Sequence, residues 1–169
     1  MSPDYFRRFA RYNAWANRRL YHACGSLTDA DYRAKRAAFF GSIHATLNHI
    51  LVGDRIWLSR FENRPHEIKS LDQILHDDLA TLQSAREAED ARILAFADGL
   101  GEAALSDTLN YRNMAGQQVA IPLVAAIAHF FNHQTHHRGQ VHGMLSGTPV
   151  PPPPLDLLYF LPEDTALSS

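Results

Sequence analysis

PLVAAIAHFFNHQTHHRGQVHGMLSG, residues 122–147, reads as one helix with a histidine-bearing face. Pro122 suits a first helical turn, where its missing N–H costs nothing, and Ser146-Gly147 suits the stop. Four of the ten histidines of the chain fall between His129 and His137. At about 100° per residue, with His133 set to zero, His137 lies about 40° away and about 6 Å along the axis. The two imidazoles therefore share a face. Ala126, Phe130 and Met144 occupy the same sector, at roughly 20–60°, so the pair is expected to point into the protein. His129, at about −40°, and His136, at about −60°, are edge positions.

Two buried imidazoles need partners, because an unpaired polar group inside a protein costs a few kcal/mol. A cation serves both at once, since each neutral ring can donate a nitrogen lone pair. Two ligands rarely close a site, so a third is expected from another helix. The best candidate is His49, in ATLNHILVGDRIW, flanked by Ala45, Val52, Gly53 and Ile56. The small neighbours leave room. His44 falls at a different angle, and His22, His66 and His76 stand in polar or terminal contexts. Asp54 is a possible carboxylate nearby, though a salt bridge suits its spacing better.

Outward from these segments the chain reads as helices with clear punctuation. Phe6, Phe9, Trp15, Leu20 and Ala23 recur at helical spacing until Gly25, and Thr28 suits the cap of a short second piece. Gly41-Ser42 opens the helix that carries His49, and Asn63-Arg64-Pro65 ends it. Ser70 is expected to cap a long helix that stops at Gly99, with the charged run Arg86, Glu87, Glu89, Asp90 and Arg92 facing solvent. SDTLNYRNMAGQQVAI, residues 106–121, breaks the pattern and predicts an irregular connection or a small β-hairpin. The prolines of residues 149–154 predict an extended C-terminal tail over 150–169, whose DLLYFL packs back on the body or on a second subunit. The expected fold class is all-α: an antiparallel four-helix bundle in a single domain, residues 1–169.

Composition narrows the function classes. Hydrophobic residues make up 46% and charged residues 20% of the 169, with a net charge of −2. That balance gives no electrostatic case for nucleic acid or membrane binding. The single cysteine, Cys24, excludes an internal disulfide and reads as a buried apolar residue. MSPDYFRRFARYNAW lacks the apolar core of a signal peptide, so a cytoplasmic location is expected.

Three motifs, YNAWANRRL, LNHILVGDRIWLSRF and NHQTHHRGQ, give the chain a resemblance to the DinB family of helical-bundle proteins over almost its whole length. Carried over by position, the family's histidine triad falls on His49, His133 and His137. The resemblance implies a four-helix bundle binding a divalent ion, zinc or nickel, and a homodimer. It also implies relatives that use a low-molecular-weight thiol (bacillithiol, mycothiol or glutathione) or that hydrolyse small-molecule substrates. From the residues themselves, Arg138 and Gly139 read as structural, and Asn13 and Asn17 as hydrogen-bonding across the bundle. Gln140 is open between touching a ligand and bonding a neighbour. The first functional reading is a metal-dependent thiol transferase or hydrolase with a vacant coordination position. The alternative is a non-catalytic bundle with a structural ion sealed by a fourth ligand such as His129 or Asp54. A third reading is a metal-free histidine cluster bridged by water.

Overall fold

The computed structural model describes residues 1–167. Four long helices dominate it: α1 (Pro3–Cys24), α3 (Ile43–Phe61), α4 (Leu79–Asp98) and α5 (Leu123–Leu145). The short α2 (Asp29–Arg33) follows α1, and α6 (Leu157–Leu167) ends the described chain. Strands β1 (Thr108–Arg112) and β2 (Gln118–Pro122) pair antiparallel, Thr108 opposite Pro122 and Arg112 opposite Gln118. The hairpin expected from residues 106–121 is present.

Side-chain caps set the helix starts. Ser2, Thr28, Ser42 and Asp78 each accept from a backbone N–H three residues on, satisfying a donor that the first turn leaves free. The helix expected from Ser70 begins instead at Leu79, and residues 62–78 form a long connection. Asn48 explains the difference. Its Oδ1 accepts from the backbone N–H groups of Leu75 and His76, and its Nδ2 donates to the His76 carbonyl. The backbone that would have made a helical turn is taken up by α3.

Helix α1 packs on α4 and α5, and α3 packs on α5 and α4, so the four close a ring. Two apolar clusters fill it. One gathers Leu20, Leu47, Leu82 and Val141, the other Phe6, Leu58, Ile93 and Phe130. The chain passes from the first cluster to the second along both α3 and α4, and from the second to the first along α1 and α5. Neighbours α3 and α4 are therefore parallel, as are α1 and α5, which corrects the all-antiparallel expectation. Parallel neighbours need a connection that runs back along the length of a helix, and residues 62–78 supply it.

Between the clusters lies a polar layer that all four helices supply. Arg86 bridges Asp54 at 2.5 Å and Asp90 at 3.0 Å. Gln134 donates to Asp54, while Asn13 and Asn17 donate to Asp90. Arg138 donates to Asn13 and lies over the Tyr12 ring. Two carboxylates meet two guanidinium groups, so the layer balances its charge. The expectation of a solvated charged face on α4 is thus overturned for Arg86, Glu89 and Asp90, which are buried. Asp54 pairs across to α4.

The tail also differs from its expected extended form. Residues 151–156 lack regular structure, but Leu157–Leu167 is helical. Phe160 is buried against Tyr12 and Trp15, and Asp164 bridges Arg8 and Arg11. These contacts anchor the helix to α1. Among the described residues, no helix is long and apolar enough to cross a membrane.

Candidate metal centre

The helix faces bring three histidines together. Nε2 of His49 lies 3.2 Å from Nε2 of His133 and 3.2 Å from Nε2 of His137. Each residue offers a nitrogen within 4.8 Å of the others, and among the described residues no fourth histidine, cysteine or carboxylate joins them. His49 and His137 are buried, and His133 is half-buried.

Two of the rings have their tautomers fixed from behind. His49 Nδ1–H donates to the Leu71 carbonyl at 2.8 Å, and His137 Nδ1–H donates to Gln140 Oε1 at 2.8 Å. A carbonyl oxygen only accepts, so both rings carry their proton on Nδ1 and turn an Nε2 lone pair inward. His49 and His137 then face each other acceptor to acceptor, which is repulsive unless a cation lies between. A tetrahedral ion with nitrogen ligands at about 2.0–2.1 Å separates those nitrogens by about 3.3 Å. The spacing fits.

Burial enforces neutrality. It pushes the pKa of His133 down to about 3, helped by repulsion from His137 and His49. Burial pushes His137 down to about 4, against the opposing effect of the hydrogen bond it donates to Gln140, and lowers His49 as well. Neutral imidazole is the form that binds a metal. Phe40 walls one side, its ring stacked on His49 at 3.8 Å between centroids and edge-on to His137 at 5.6 Å. Gly41, at φ 79°, makes the turn that precedes α3 and carries Phe40 there.

The other candidates fall outside. His129 and His136 are exposed, and Nε2 of His136 accepts from Gln140. Asp54 is committed to Arg86 and Gln134. His44 donates its Nε2–H to the His76 carbonyl. His22 is exposed, whereas His66 and His76 are half-buried within the long connection itself. Sequence reasoning missed Phe40, Asn48 and the Leu71 carbonyl. Asn48 stands directly before His49, but its role depends on a loop that local periodicity does not place.

Comparisons with known proteins bear on family and fold. The family model described as DinB family matches residues 1–165. Protein DinB of Bacillus subtilis (strain 168) is 22% identical over 171 residues, covering 94% of both chains. The crystal structure of a conserved protein from Enterococcus faecalis has the same fold at a TM-score of 0.65 and 13% identity, over 80% of this chain and 92% of that one.

Proposed function

The chain belongs to the DinB family, and we propose that it binds one divalent ion, zinc or nickel, through His49, His133 and His137. We read the four long helices as the family's four-helix bundle, built as a single domain in a cytoplasmic homodimer. Leu158 and Tyr159, exposed on α6, favour the dimer. On this reading the protein is a metal-dependent enzyme acting on small molecules, as a thiol-dependent S-transferase or a hydrolase.

The observation that carries the metal is the facing of two acceptor nitrogens, His49 Nε2 and His137 Nε2, at 3.2 Å. When bound, an ion with three neutral ligands keeps its full charge and makes a water or a thiol at its vacant side more acidic. The chain's own residues do the positioning. Leu71 and Gln140 hold two imidazoles from behind, fixing tautomer and ring orientation. Phe40 excludes water from the His49 side. The rival structural-ion reading needs a fourth protein ligand, and Asp54, its best carboxylate, is engaged elsewhere.

The test is metal analysis of protein purified without a histidine tag, followed by a screen of thiols against electrophiles and of hydrolysable esters, with and without chelator. One equivalent of zinc or nickel with chelator-sensitive turnover is the expected result. Protein that stays metal-free after reconstitution sinks the metal; full metal without turnover of any class leaves only the structural-ion reading.

A further inference from the structure

Beyond the histidine centre, a cleft of about 480 Å³ lies between the end of α3, the chain that follows it and strand β1. Arg60, Arg64, His66, Asn110, Tyr111 and Arg112 line it, and no carboxylate does. In a chain of net charge −2, that local excess of cations is not a by-product of bulk composition.

Arg60 is the telling residue. Its guanidinium carbon lies 4.7 Å from the Trp57 ring centre and 4.3 Å from that of Tyr111. Its Nε is buried without a hydrogen-bond partner. None of the neighbouring acids pairs with Arg60: Glu62 bridges Arg92 and lies 3.8 Å from Arg64, and Glu89 holds Arg92 and Arg55. Burial accordingly lowers the Arg60 pKa, with only Tyr111 pulling the other way. His66 repeats the pattern, its Nδ1 buried and unpartnered. Aromatic faces hold a guanidinium in place but leave its in-plane N–H donors unused, and those donors match an oxyanion.

We propose that this cleft binds a phosphate-type anionic group on a small molecule, with Arg60 as the principal recognition residue. Arginines approaching from α3, from the loop after it and from β1 suit a tetrahedral oxyanion, which presents acceptors in several directions. A planar carboxylate is served by one arginine fork. The cleft has the volume of a small-molecule site, and a chain of net charge −2 gives no electrostatic case for a running nucleic-acid backbone. It shares no lining residue with the histidine centre. Trp57 connects the two, its ring 5.1 Å from His129, which in turn lies 5.9 Å from His133.

The experiment is calorimetric titration of the full, chelator-treated chain at low ionic strength. Its probes are inorganic phosphate, pyrophosphate, citrate and a single-stranded oligonucleotide. Pyrophosphate and phosphate should bind one per chain. Arg60→Ala should weaken binding by at least about tenfold, the loss expected from charge-assisted hydrogen bonds. Arg112→Ala should weaken it several-fold, while Arg18→Ala, outside the cleft, should leave it unchanged. If Arg60→Ala does not fold, Arg60→Gln gives the same reading. Absence of binding at millimolar phosphate, or equal binding by the Arg60 variant, overturns the proposal. So does citrate binding as tightly as pyrophosphate, or the oligonucleotide binding tightest. Because metal is removed beforehand, failure here is distinct from failure of the histidine site.

Discussion

Gly53 stands against His133: a Cβ added at residue 53 would lie 2.8 Å from Cε1 of the imidazole. The absence of a side chain on α3 is what lets the α5 ring reach His49. Alanine there is expected to swing the ring outward, because the atom it meets is the far end of a side chain. Helix propensity runs the other way, favouring alanine by about 1 kcal/mol in a helix interior. Gly53→Ala should therefore raise the melting temperature of the metal-free protein by about 2–4 °C and weaken metal binding by tenfold or more. A chelator-competition titration beside thermal unfolding separates the two effects. Unchanged metal affinity would show that His133 is not held by this contact.

The ligand set is tested by single alanine variants. His49→Ala, His133→Ala and His137→Ala should each abolish stoichiometric metal, whereas His136→Ala and His129→Ala should retain it, since both rings lie outside the cluster and exposed. Elemental analysis of gel-filtered, tag-free protein reads this out. Equal loss from all five would mean that the face assignment fails.

The pH response follows from the depressed pKa values. From sequence alone, metal affinity is expected to fall as pH drops through about 6.5, the ordinary imidazole value. Burial moves that point down, to about 4 for His137 and about 3 for His133. Burial lowers His49 as well, so in the folded protein protons compete only below the ordinary imidazole value, and the fall in affinity should be displaced to lower pH. Stability of the metal-free form has a related sign. The unfolded chain binds these protons near pH 6.5 while the folded chain refuses them until about 3–4, so stability is full above about 6.5 and is lost as pH falls through that window. Metal titrations and melting curves from pH 7.5 to 4.5 check both. An affinity midpoint at the ordinary histidine value would place the rings in solvent.

How far the sequence reveals this arrangement depends on the range of the forces involved. The His133–His137 pair is legible because two residues four apart on one helix share a face whatever surrounds them. His49 is legible because its apolar neighbours mark a buried face, and the caps at Thr28 and Ser42 because capping is local. The start of α4 is not, since Ser70 and Asp78 are both competent caps and the choice is made by Asn48 seizing the intervening backbone. Arg86 and Asp90 look like surface charges in any one-dimensional reading. Only the meeting of four helices supplies Asp54, Asn13 and Asn17 to satisfy them. The parallel course of α3 and α4 is likewise a property of packing.

Asn48 carries the last prediction because one side chain joins fold to site. Its amide fixes Leu75 and His76, and the same connection presents the Leu71 carbonyl that orients His49. Asn48→Ala leaves two backbone N–H groups and the His76 carbonyl without that partner, an expected cost of about 1–3 kcal/mol. It should also release Leu71, and the loss of an outer hydrogen bond to a ligand imidazole weakens metal binding by about 10–100-fold. Gln140→Ala is the matched control, because it removes the corresponding bond to His137 without touching the connection of residues 62–78. The two variants should lose comparable metal affinity, while only Asn48→Ala lowers the melting temperature of the metal-free protein and exposes the connection to protease. If Asn48→Ala loses stability but keeps full affinity, His49 is oriented by its own helix and by the Phe40 stack, and the Leu71 carbonyl has no part in setting the site.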